Sequence, residues 1–345
     1  MSSPVAGHHR WTVAAVVVAL GTAFLGGLWS LTLSPLEHTV GAPPSTAPGP
    51  VEQISSSPPH RLRIGPSVTG QGWLVAADGG QTWLLGPGTL SVIADGVATV
   101  VAHGAWSRNA VLEPAGGGAM WIASGRHLWP VSVWGSVGRR LSPTVGTISA
   151  VLYADGRTWL AGSDGTRGTL ALIDPSTANT QQRYYLGRGA YQLAAASGYV
   201  FVATRDTSQP PIVRLDPVLG ATTPVPGAGT GPIAAADGRL WWGSANAVHC
   251  VVAKTLRRCG RVDVRAPAVI AARGEALWVA SEAGLDATGD PSSPARLTLF
   301  DPRDGRTIAG PVDLPSSSIA SVAAGDLTAW VGMREGGDVV EVERT

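Results

Sequence analysis

From about residue 61 onward, apolar residues come in short runs separated by Gly, Pro, Asp and Ser, and no stripe at 3.6-residue spacing persists between the breaks. This pattern predicts strands, and residues 61–345 read as all-β. The N-terminal pattern is different. Trp11 to Leu33 are 23 consecutive uncharged, mainly apolar residues. At ~1.5 Å per residue they are long enough to cross a hydrocarbon core of roughly 30 Å, so a transmembrane helix is expected over 11–33.

The strand-rich part repeats. Its register is marked by Trp83, Trp121, Trp159, Phe201, Trp241, Trp278 and Trp330, at successive spacings of 38, 38, 42, 40, 37 and 52 residues. A period of ~40–45 residues fits one four-stranded propeller blade per unit, and seven anchors imply seven blades. Gly80, Gly118, Gly156, Gly198 and Gly238 each stand three residues before an anchor, where a tight hairpin turn needs positive φ. Ahead of those turns lie runs such as Ile233-Ala234-Ala235-Ala236, small enough for strands crowded round an axis. After the anchors, Asp174-Pro175, Asp216-Pro217 and Asp301-Pro302 predict the turn into an outer strand.

The seventh unit supplies three strands, near 319–324, around Trp330 and at 339–342, and then the chain ends. Arg61 to Ile64 is the expected fourth strand, because pairing it with Val339 to Val342 would close the ring and hide its edges. Residues 34–60 carry Pro43, Pro44, Pro48, Pro50, Pro58 and Pro59 among Ser, Thr and Gly, a disordered Pro/Ser-rich linker or stalk. Arg10, with His8 and His9, precedes the apolar span, so the positive-inside tendency makes residues 1–10 cytoplasmic and the propeller extracytoplasmic. The rival, a cleaved signal peptide, would have an apolar region of only ~7–15 residues. A retained signal-anchor is therefore expected, with single-pass attachment to the cell membrane. Within it Ala15, Ala19, Ala23 and Gly27 form a small-residue stripe that would support a weak dimer.

Composition adds two points. The formal net charge of +1 gives no basic field for nucleic acid. Cys250 and Cys259 flank Lys254-Thr255, so a two-residue turn there would set them opposite on paired strands, and an oxidising compartment favours a disulfide. Two cysteines are too few for a metal site, and no nucleophile elbow, phosphate loop or HExxH appears, so neither cofactor nor metal is expected.

The units, which read approximately as G-x-L-W-V-A-S followed by L-x-x-x-D-P-x-x-G, resemble the streptogramin-lyase-like and YVTN/NHL-type bacterial propellers. The resemblance spans about 280 residues and is specific for architecture, since such folds host many activities. In the lyases it implies metal-assisted elimination by histidine and acidic residues around an axial cleft. Here His103, His127 and His249 fall in different units and match no catalytic motif. No WD40 unit signature, with its Gly-His and Trp-Asp pair, is present.

A non-catalytic recognition module at the cell envelope is therefore the expected function, binding a protein, peptide or glycan. The alternative is a membrane-tethered lyase or hydrolase with an axial active site, which an axial cluster of His with Asp or Glu would favour. Loops between second and third strands emerge on the same face as the links between blades. They carry the candidate binding residues Arg126, His127, Asp164, Arg167, Arg205, Asp206, Asn246, Arg334 and Glu335. The longest insert, about 283–294, adds Asp286 and Asp290.

Overall fold

The computed structural model describes residues 60–69, 72–187, 189–204, 210–284 and 293–345. The expected transmembrane span and nearly all of the linker lie outside them. The described residues contain strands and turns and no helix. They form seven sheets, which are the blades of a propeller: residues 74–103, 111–131, 147–185, 190–224, 233–263, 267–313 and 319–344. In each, the first strand is innermost and the chain meanders outward.

The seventh blade takes its fourth strand, Leu62–Val68, from the other end of the domain. Ile64 pairs with Val342 and Val68 with Val339, with a bulge between. The closure is longer than the four residues expected: the first strand continues past Ile64 to Ser67 and Val68, and the last strand past Val342 to Glu343 and Arg344, which face Arg63 and Leu62. The second blade departs from the pattern in having three strands. Beyond Val131 its outer position is filled by an irregular segment that meets the sheet through isolated bridges of Leu128 to Leu141 and Val131 to Val137.

No single core exists. Apolar side chains form seven separate wedges, one between each pair of neighbouring blades. Each anchor lies on the second strand of its blade and packs toward the next: Trp83 against the second blade, Trp121 against the third, and so on to Trp330 against the first. All seven are buried. The second strands are apolar on both faces, as in Met120-Trp121-Ile122-Ala123, because each face meets a different wedge. The five turn glycines have φ between 67° and 83°, as the hairpins require.

The Asp-Pro turns are built by the carboxylate. Asp216 Oδ1 accepts from the backbone N–H of Val218 and Leu219, and Asp174 and Asp301 do the same work in their blades. The left-handed exit is taken by Gly220, Gly305 and, less expectedly, Ala178.

Blade 5 uses the same turn without the Asp-Pro pair. Leu256 takes the left-handed place, and its N–H reaches Val252 O. The connection between Cys250 and Cys259 is therefore longer than the expected two-residue turn. A bulge at 258–260, where Cys250 faces Gly260 and Val251 faces Arg258, brings the cysteines back together. They are joined as a disulfide with Cα atoms 5.2 Å apart.

Candidate functional site: an axial cavity and its vestibule

The seven inner strands surround an axial cavity of about 870 Å3. Its walls are mostly Ala, Val, Leu and Ile, as crowding around the axis demands. Most polar side chains in the wall tie one blade to another. Gln192 pairs through its amide with both N and O of Ile233, imitating a strand partner. Ser321 donates to Trp73 O and accepts from Val75 N, linking the last blade to the first. Ser149 reaches Ala190 O, and Asp78 accepts from Gly118 N.

Register shows what is exceptional. The inner-strand residues directly opposite the anchors are Ala76, Glu113, Leu152, Ala194, Ala234, Ala271 and Ala323. All seven line the cavity, and one is an acid. Glu113 is partly buried, and removal from bulk water pushes its carboxyl up to about 8. Asp78 and Arg273 stand two residues further along their strands, at the first-hairpin end of the cavity, where Arg273 donates to Ala77 O across the intervening blade. The sequence held a signal for Glu113, an acid where the other units run through small apolar residues. A hairpin of three consecutive glycines, Gly116 to Gly118, with a bulge beside it, obscured the alignment.

At the opposite end, where blades are linked, a second cavity of about 500 Å3 lies between blades 5, 6 and 7. It shares Thr230, Gly231, Ala268, Val269 and Ala320 with the axial cavity and is its vestibule. Glu282 and Arg334 supply its charges. Arg334 was a candidate from sequence; Glu282, just before the long insert, was not.

The other described candidates are distributed around this end in the loops between second and third strands. Asp164 organises its own loop, accepting at Oδ1 from Thr166 N and Oγ1 and from Arg167 N, and these bonds hold its carboxyl down at about 2. His127 Nδ1 lies 3.1 Å from Ser142 Oγ. Glu335 accepts from Ser317, while Asn246 and Arg126 are exposed. Among the described residues no hydrogen bond or ion pair joins these groups from one blade to another; of them, Arg334 lines the vestibule. Arg205, Asp206, Asp286 and Asp290 lie outside the described residues.

The histidines do not converge either. His103 ends an outer strand, and His249 lies on a third strand, stacked on Trp242 with Nε2 3.1 Å from Ser244 Oγ. Desolvation, helped by Arg261 and Arg258, lowers its pKa. None of the three lines the axial cavity, and no group of three or more His, Cys, Asp or Glu among the described residues is placed to hold a metal.

No protein-family model matches the chain, and no curated protein matches its sequence. Solved structures share the fold. BamB from Moraxella catarrhalis superposes with TM-score 0.53 at 13% identity, over 82% of this chain and 97% of that one. The Pan2 WD40 domain of Neurospora crassa gives 0.61 at 9% identity, over 84% and 97%. BBS1N, solved in complex with ARL6DN, gives 0.58 at 11% identity, over 83% and 96%. At these identities the likeness is one of architecture: a seven-bladed propeller.

Proposed function

We propose that this protein is a membrane-anchored, extracytoplasmic recognition module that docks a protein, peptide or glycan on the vestibule end of its propeller. The observation that carries the reading is the vestibule itself. It is a concave, charged entrance formed by three blades and continuous with the axial cavity, on the end that also bears the second-to-third-strand loops. Loops on a closed scaffold combine exposure with fixed geometry, which suits recognition. A propeller neighbour, BBS1N, is itself seen bound to a protein. The apolar span 11–33, the Pro-rich linker after it and the paired cysteines support placement outside the cytoplasm. The repeat signature supports a streptogramin-lyase-like or YVTN/NHL-type lineage, and none of the described histidines lines the axial cavity.

The test is partner capture by the full-length chain after changing Arg167 and Arg334 to Ala, beside a control with Arg183→Ala and Arg306→Ala away from the vestibule. Capture should fall at least tenfold in the first and stay within twofold in the second. Loss confined to the control would place recognition elsewhere.

A further inference from the structure

The wall of the axial cavity poses a chemical question that its scaffold role does not answer. Six of the seven residues opposite the anchors are Ala or Leu, and Glu113 interrupts them. The other charged groups of the wall are engaged, Asp78 with Gly118 N and Arg273 with Ala77 O. Glu113 makes no hydrogen bond or ion pair among the described residues, although it stands beside the apolar wedge that holds Trp121, Val111 and Val151. A carboxyl in such surroundings is held at a free-energy cost unless something compensates it. Ala serves the same rank in five blades, so packing does not require the acid.

We propose that the axial cavity is a receptor for one protonated base, an ammonium or guanidinium group on a short apolar arm, with Glu113 as its counter-ion. The apolar wall lowers the local dielectric and strengthens that single pair. A guanidinium can also present two parallel N–H donors to the carboxylate. The route of entry follows from the opening rather than from net charge. Each end carries one acid and one arginine, Asp78 and Arg273 at the first-hairpin end and Glu282 and Arg334 at the other, and it is the latter end that continues into the vestibule. Glu113 is two residues beyond the start of its strand, Val111, about 7 Å at ~3.3 Å per residue. An arm of four or five bonds spans that depth. A free amphiphilic amine and the side chain of a partner's Lys or Arg share this chemistry. The site does not depend on where the chain is anchored.

The experiment titrates full-length protein with n-butylamine and n-butylguanidine, using n-butanol as the uncharged control, and with the peptides Gly-Lys-Gly and Gly-Arg-Gly. Binding is followed by chemical-shift changes of the cavity-wall alanine methyls and by calorimetry in buffers of different ionisation enthalpy. The charged probes should bind, shift the methyls of Ala76 and Ala194, and release a proton at pH 7. In Glu113→Gln, which keeps shape and hydrogen bonding, affinity should fall at least tenfold and proton release should vanish. Asp95→Asn on an outer hairpin should change neither. Tighter binding of the tripeptides would make a partner's side chain the source of the cation, and tighter binding of the butyl probes a small molecule; both support the site. Equal binding of butanol, or an unchanged affinity in Glu113→Gln, would overturn it.

Discussion

Val68 pairs with Val339, so the first strand of the described chain and the last are neighbours in one sheet. Six blades take all their strands from consecutive chain, and the seventh takes its outer strand from the opposite terminus. The wedge between the last blade and the first, with Val75, Leu84, Trp330 and Val339, forms only when both ends are in place.

Deleting residues 61–68 should therefore lower cooperativity of unfolding and promote association through the exposed edge of the strand Val339–Arg344, while deleting 43–56 should leave the melting curve unchanged. Differential scanning calorimetry with light scattering separates the two. Equal melting of both truncations would mean that the pairing contributes nothing to the ring.

Each anchor serves one wedge, so a truncation acts locally but heavily. Trp159 is 2% exposed, between blades 3 and 4, and Trp159→Ala should cost ~3–5 kcal/mol in urea denaturation. A loss under ~1 kcal/mol would imply that the blades do not rely on their anchors.

How much of this was readable in advance depended on periodicity. The anchors, turn glycines and inner Ala runs recur, and a recurring unit that cannot bury itself alone must stack, so blade number and strand order followed. Non-periodic features did not. Leu256 and Ala178 take left-handed conformations that sequence assigns to Gly, which hid the longer turn before Cys259. The irregular outer segment of blade 2 has no repeat counterpart. Glu113 acquires meaning only through its pairing with Trp121, and the vestibule only through three blades meeting.

The Cys250–Cys259 link closes a short loop within an already paired hairpin. Replacing both cysteines by Ala should cost at most ~2–3 kcal/mol, below the effect of losing an anchor. Thiol labelling of the protein taken from its own cells and unfolded should find no free sulfhydryl. Two labelled thiols per chain would count against both the link and the proposed external compartment.

Stability should carry a signature of Glu113. Its carboxyl is raised from 4.5 to about 8, so between these values the folded chain keeps a proton that the unfolded chain has released. Stability from this group is therefore greatest at low pH and is lost as pH rises from 4.5 toward 8, by ~1–2 kcal/mol once water in the cavity is allowed for. Asp78, Tyr153 and Arg273 line the same cavity, and His249, lowered by burial, acts in the opposite sense below 6.5. The readout is thus the difference between wild type and Glu113→Gln, which should grow across that window. A difference independent of pH would show that Glu113 ionises as if in water.

The central claim, that recognition belongs to the vestibule end, is tested most directly by site-specific photocrosslinking in the protein's own cells. A photoreactive residue is placed in turn at Arg126, Arg167, Asn246 and Arg334, and at Arg157 and Glu275 beside the first-hairpin turns of the opposite end. One common adduct is expected from the vestibule-end positions, strongest at 334, and none from 157 or 275. Adducts arising only from 157 and 275 would contradict the claim.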